Sequence, residues 1–457
     1  MMKSHNLVEM LAQTVKQYPD KTALRWKQDG KYHSMTYQKL WNTIRDFAFG
    51  LERLGIRAGT KVAILSENHP CWVISDFALL SLGAVSVPIY PALQVQQIFF
   101  MLQHTDTEAV IVQQPDLLTQ ITKVPKCTRH FILMNGKAKG DVKALQFETV
   151  IQLGQTAVIE DTDWAYPSIQ SSDPATIVHS SVGDENPKAI LLSHGNILSN
   201  IEMWNHFVPY TSLDTFLSIL PLSDMFERVT GHFAPICAGA TVAYAESVEK
   251  AFINMREVHP TILIGTPGLF QTIYRGITED LSQSPIKHRF FDWAMKIAAR
   301  HQQIASQGFN WAIPKKLRLQ YAFLQDFVFA NIYDRLGGQL RFMVSGGSMP
   351  DAEVRQFFSA IGLPVLEAYG MAECTAVIAS NRLAHIKPGT EGKPLPGTEI
   401  RFLPDGELLV KSPSVMTGYY KDPEESAKTI VNGWLHTGVT AQADKDNYIR
   451  IIDRKST

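Results

Sequence analysis

The stretch that decides how this chain is read runs from His179 to Asn196, HSSVGDENPKAILLSHGN. It has the form of a phosphate-holding loop joined to the start of a helix, yet Asp184 and Glu185 stand where phosphates would have to lie. At about 5 Å and an effective dielectric near 20, each carboxylate repels each unit of phosphate charge by roughly 3 kcal/mol, and a triphosphate carries several such charges. Affinity for a polyphosphate is therefore expected to fall by orders of magnitude. The alternative is a loop refolded so that both side chains face solvent or Mg²⁺.

Outward from this stretch, 457 residues at 45% hydrophobic content fit a globular chain of several domain-sized units with a sizeable core. The formal net charge of −1 supplies no overall field to recruit nucleic acid or an anionic membrane, so partners must be read from local features. The four cysteines, Cys71, Cys127, Cys237 and Cys374, are too scattered for a disulfide framework or a C-x-x-C pair. The start, MMKSHNLVEMLAQTVKQYPD, lacks a continuous apolar segment, and no run of about 18 apolar residues follows. A cytoplasmic protein without a signal peptide or membrane span is the expectation.

Leu7, Leu11, Val15 and Tyr18 fall at helical spacing and predict an amphipathic helix packed on the body. Short apolar runs at Val62–Leu65, Val85–Ile89 and Ala109–Val112 alternate with helical patterns such as Val73–Leu82, which predicts α/β layers with mostly parallel strands. From Pro388 to Tyr420 glycine and proline are frequent, and after Gly406 the texture becomes turn-rich strands, closer to a β-barrel or meander. Between Ile286 and Asp334 lies a helical insertion rich in Lys and Arg. It reads either as a solvated face or as a surface for lipid headgroups, CoA phosphates or an anionic bilayer, the solvated face being the simpler of the two.

Seven blocks, in register, carry a family resemblance: PKAILLSHGNILSN from Pro187, LPLSDMFERVTGHF from Leu220, AGATVAYAESVEK from Ala238, RFMVSGGSMP from Arg341, EAYGMAEC from Glu367, GELLVKSPSVMTGYYKDPEES from Gly406 and NGWLHTGV from Asn432. On these the chain resembles the adenylate-forming (AMP-binding) enzymes, and among them the long-chain fatty acid CoA ligases, or acyl-CoA synthetases. The resemblance implies an N-terminal body of two α/β subdomains and a β-barrel, spanning 1–453, with 454–457 a hinge stub and the C-terminal lid domain missing. It also implies a reaction in which ATP and a fatty acid give acyl-AMP and pyrophosphate, and CoA then takes the acyl group. ATP, Mg²⁺ and CoA are the implied cofactor and co-substrates, and a long-chain acyl group the implied ligand.

The same resemblance exposes departures. Against the family loop T-S-G-T-T-G-x-P-K-G, Ser180, Ser181 and Lys188 are retained, the two threonines are replaced by Gly183 and Asp184, and Val182, Glu185 and Ala189 stand at glycine positions. A β-branched residue such as Val182 resists the φ > 0 geometry that glycine allows. In YGMAEC, Tyr369 and Gly370 match the adenine-side residues and Glu373 the Mg²⁺ carboxylate, whereas Ala372 lacks the family hydroxyl; the plainer alternative makes Tyr369 a core aromatic and Glu373 a surface carboxylate. Ser345, Gly346 and Gly347 match the turn bordering adenine and acyl carboxylate, and Arg454 the arginine that contacts the nucleotide. Val439 occupies the position of the ribose-binding aspartate, where each lost charge-assisted bond is worth about 1.5–3 kcal/mol.

The acyl side departs less, with Asp224 for a family histidine and TPGLFQTIYRGI from Thr266 intact. No G-x-S-x-G stretch or metal-ligand spacing among the 14 histidines supports a hydrolase or metalloenzyme. Two functions follow as expectations: an acyl-CoA synthetase homologue impaired or inactive in its family reaction, or a non-catalytic body, a pseudoenzyme, that binds an acyl chain, a nucleotide lacking phosphates or a partner protein.

Overall fold

A computed structural model describes residues 4–121, 124–137, 143–156, 168–180, 187–282, 285–305, 313–347 and 349–454. The expected α/β body is present as two large sheets. The first has nine strands; its parallel centre comprises Thr22–Gln28, Thr241–Tyr244, Thr215–Ser218, Ile262–Gly265, Phe342–Gly346 and Val365–Gly370. The second has eight, with Pro174–His179, Val85–Ile89, Lys61–Leu65, Ala109–Val112, His130–Leu133 and Leu145–Gln146 running parallel. Strands such as Ala109–Val112 are apolar throughout because helices cover both faces of a parallel sheet, leaving no polar side. The expected barrel portion is a curled antiparallel sheet of five strands, including Glu399–Phe402, Glu407–Lys411, Trp434–Ala443 and Ile449–Arg454.

Local chemistry sets the helix starts. Asn6 caps the helix Leu7–Gln17 by accepting the Glu9 N–H at 2.8 Å. Ser193 and Asn196 form a reciprocal capping box at the head of the helix His194–Phe207, so the helix start seen in the opening stretch is real. Asn196 also donates to the carbonyls of Pro413 and Val415, which fastens this helix to the segment leading into the retained GYYKDPEES block.

The two large sheets are locked together by Arg228, from the π-helix Glu227–Phe233. Its guanidinium is fully buried and bonds Asp76 on the helix Pro70–Ser81 at 2.5 and 3.2 Å, Ser86 at 2.9 Å and Thr176 at 2.9 Å. All three partners belong to the eight-stranded half, whereas the π-helix follows a strand of the nine-stranded half. Beside it, Glu227 is buried and accepts the Ser218 hydroxyl at 2.6 Å, and Ser218 in turn accepts from Asn68 Nδ2.

Burial lifts the Glu227 carboxyl from an ordinary 4.5 to about 8, only partly offset by the Ser218 bond, while nearby Asp224 raises it further. The folded protein therefore holds a proton that the unfolded chain releases. The stabilisation from this group is complete below the unfolded value and is lost as pH rises through about 8. Glu227→Gln keeps an acceptor for Ser218 and removes the titration, so its melting temperature should decline less than the parent's between pH 5 and 8 in parallel thermal scans. The half-buried His69 and the buried His194, whose lowered values of about 4 act in the opposite sense at acid pH, are common to both proteins and cancel in that difference.

Candidate active site

The site is built where the two large sheets end side by side. Ser180 follows the strand Pro174–His179 and Lys188 precedes the strand Ala189–Ser193, and the two bracket the mouth of the opening loop. The Ser180 N–H donates to the Lys188 carbonyl at 2.8 Å, and the Lys188 N–H donates to the Ser180 hydroxyl at 3.0 Å. Ser181, Val182, Asp184 and Glu185 lie outside the described residues. Ala189 pairs with His179 in a regular ladder and is buried, so its Cβ is accommodated by extended backbone and needs no glycine.

The Lys188 ammonium meets Glu425 of the helix Pro423–Thr429 at 2.5 Å and lies 5.1 Å from the centroid of the Tyr419 ring. The Tyr419 hydroxyl donates to Glu373 Oε1 at 3.2 Å. A chain of contacts, Glu425 to Lys188, across the Tyr419 ring to Glu373, thus joins the two sheets at the candidate site. Burial raises the Glu373 carboxyl above its usual range, opposed by the Tyr419 hydroxyl and the charge of Lys188. Tyr419 and Glu425 were not singled out by sequence reasoning, although both lie in the GYYKDPEES block. Tyr419 belongs to a two-residue strand that crosses to pair with Leu191 and Ile190, and that pairing has no local signature.

Ser345 and Gly346 close the strand Phe342–Gly346 and pair with Glu367 and Ala368 of the neighbouring strand, which continues to Tyr369 and Gly370. Gly347 turns with φ of +90°, a conformation that favours glycine. A Cβ at Gly346 would sit 2.4 Å from the Phe226 ring, so the retained glycine here admits an aromatic from the LPLSDMFER block. Tyr369 is only 4% exposed and packs in the main core. Ala372 and Glu373 share one short turn of helix, Ala372–Cys374.

Val439 lies on the inward face of the strand Trp434–Ala443, 6% exposed, with its N–H donating to the Thr437 hydroxyl. Its register partner is Arg454, so the two C-terminal family positions face each other in the small sheet.

Among the described residues no group of three or more His, Cys, Asp or Glu side chains could hold a metal. Mg²⁺ is usually held by one or two carboxylates together with substrate phosphates, and Glu373 fits that role as a single carboxylate. A crevice of about 760 Å³ opens beyond the carboxyl ends of strands of both sheets, the usual place for ligands in α/β folds. Its rim carries Glu67, Glu246 and Glu249, while Lys27 there is already paired with Glu246 and Glu257. Such a rim is poorly matched to a polyanion.

The fold, the bracketed loop mouth and the Glu373 turn define an adenylate-forming body, and the AMP-binding enzyme family model matches residues 11–420. The chain belongs to that family. Among curated relatives it is similar to the long-chain-fatty-acid–CoA ligase FadD15 of Mycobacterium bovis, 27% identical over 98% of this chain and 74% of that protein. It is also similar to the peroxisomal long chain acyl-CoA synthetase 6 of Arabidopsis thaliana, 29% identical over 93% of this chain and 62% of that one. Among solved structures, the anthranilate CoA ligase AuaEII in complex with anthranoyl-AMP shares the fold with a TM-score of 0.77 and 20% identity, covering 98% of this chain and 77% of that one. The N-terminal domain of FACL13 from Mycobacterium tuberculosis does so at 0.73 and 18%, covering 98% and 100%.

Proposed function

We propose that residues 1–453 form the AMP-binding body of a long-chain fatty acid CoA ligase homologue whose ATP-dependent step is strongly impaired. The family reaction joins the fatty acid carboxylate to the α-phosphate of ATP with departure of pyrophosphate, after which the CoA thiol takes the acyl group and AMP leaves. Ser180, Lys188, Ser345, Gly346, Gly347, Tyr369, Gly370 and Arg454 stand at the nucleotide positions of that reaction, and Glu373 at the Mg²⁺ position.

One observation carries the impairment: Val439, at the ribose position, is a buried apolar residue, set beside a bulge in its strand where Gly438 turns with φ of +65°. Its side chain offers the ribose hydroxyls no acceptor. Asp184 and Glu185 add repulsion in the loop. Lys188 adds to this, because it must leave Glu425 before it can meet a phosphate.

The second reading is a non-catalytic body holding an acyl chain or a partner protein; the crevice of about 760 Å³, which none of the described nucleotide-position residues line, offers such a body a separate place for a ligand. Both readings are tested by ATP–pyrophosphate exchange with palmitate: purified protein should show none above a no-enzyme control. Ready exchange would defeat both.

A further inference from the structure

The crevice of about 760 Å³ between the two large sheets has the size of a small-molecule site. Its two walls come from different halves of the body. One follows the strands Lys61–Leu65, Val85–Ile89 and Ala109–Val112 of the eight-stranded sheet and carries Glu67, Tyr90 and Leu117. The other follows the strands Thr215–Ser218 and Thr241–Tyr244 of the nine-stranded sheet and carries Ile219, Leu220 and Glu249.

Charge in the lining does not cancel. Lys27 is held by Glu246 at 3.1 Å and by Glu257, outside the crevice, at 2.8 Å, and Glu246 also takes Lys250 at 2.9 Å. Glu67 on the first wall and Glu249 on the second have no cationic partner among the described residues. Partial burial raises the Glu67 carboxyl above its ordinary range. The Tyr90 phenol is raised first by its own burial and then by the Glu67 charge, which places the free carboxylate beside an aromatic side chain.

Each wall therefore offers one carboxylate without a counter-ion, and the rest of the lining includes apolar side chains and the aromatics Trp26, Tyr90 and Tyr244. A ligand with a single positive charge would answer only one wall. Two or more ammonium groups joined by methylene segments answer both, since carboxylates and aromatic faces attract the ammonium groups while apolar side chains cover the methylenes.

We propose that the crevice binds a linear polyamine, one ammonium group held by Glu67 beside Tyr90, another by Glu249, with the methylene segments on Leu117, Ile219 and Leu220. Such a ligand bridges the two halves that the buried Arg228 also joins, so its binding stabilises the folded body. The proposal is independent of adenylation.

The test is calorimetric titration of spermidine into purified protein at low salt, beside butylamine and the neutral butanediol. Spermidine should bind saturably, at least about ten-fold more tightly than butylamine, and butanediol should not bind. Glu67→Gln and Glu249→Gln should each weaken spermidine binding about ten-fold, and the two together should abolish it and remove the rise in melting temperature that spermidine gives the parent. Glu202→Gln, which alters an exposed carboxylate outside the crevice, should bind as the parent does. No saturable spermidine binding by the parent overturns the proposal, as do equal affinities for spermidine and butylamine, or binding unchanged in the paired variant. A loss in Glu202→Gln equal to that in Glu67→Gln would mark general attraction to an acidic surface and overturn it equally.

Discussion

Asp76→Ala is expected to destabilise the protein by about 3–5 kcal/mol, because it leaves the Arg228 guanidinium buried without its counter-ion. Arg228 joins the π-helix of one α/β half to Asp76, Ser86 and Thr176 of the other, so urea unfolding should also lose cooperativity, with the halves separating into two transitions. Replacing both partners, Asp76→Leu with Arg228→Met, should recover most of the loss. Two apolar side chains of similar volume carry no desolvation penalty, and Trp72 and Phe233 already flank the guanidinium. An Asp76→Ala protein within about 1 kcal/mol of the parent would mean that the pair is not what holds the halves.

The second large effect concerns repair. Restoring Val182→Gly, Asp184→Thr, Glu185→Gly, Ala372→Thr and Val439→Asp should raise affinity for Mg²⁺·ATP by orders of magnitude. The first three remove two repulsive charges and a β-branched residue from the loop, and the last two return a phosphate donor and a ribose acceptor. Ala189 is omitted, since its strand geometry gives glycine no advantage. Val439→Asp carries its own cost, a carboxylate on an inward face, so the repaired protein should melt lower than the parent and regain stability when nucleotide is added. That coupling, ligand against stability, distinguishes a restored site from a merely tolerated substitution. Glu425→Gln added to the five should tighten binding further by releasing Lys188.

How much could be read in advance follows from the range of each interaction. The strands Val85–Ile89 and Ala109–Val112 coincide with their apolar runs, because burial on both faces leaves an unbroken local signal. The helix at Leu7 was equally plain, and Asn6 adds a cap to the predicted stripe. What escaped was long-range. Glu425 meets Lys188 across 237 positions, and no spacing rule joins them. The Gly418–Tyr419 strand leaves the C-terminal segment to pair with the eight-stranded sheet, and this brings Tyr419 between Lys188 and Glu373. The glycine position at Ala189 looked damaged in one dimension and proves to be ordinary strand. The LPLSDMFERVTGHF block was legible as a family match, whereas its π-helix, its buried Glu227 and its Arg228 lock emerge only from the packing.

The central claim, that the nucleotide half of this site has been disabled by its own side chains, is tested most directly by calorimetric titration of Mg²⁺·ATP into the unmodified protein beside the five-site repaired variant. The account predicts no measurable heat of binding for the unmodified protein and saturable binding for the repaired one. Saturable binding of Mg²⁺·ATP by the unmodified protein, or its absence in a repaired protein that remains folded, would contradict it.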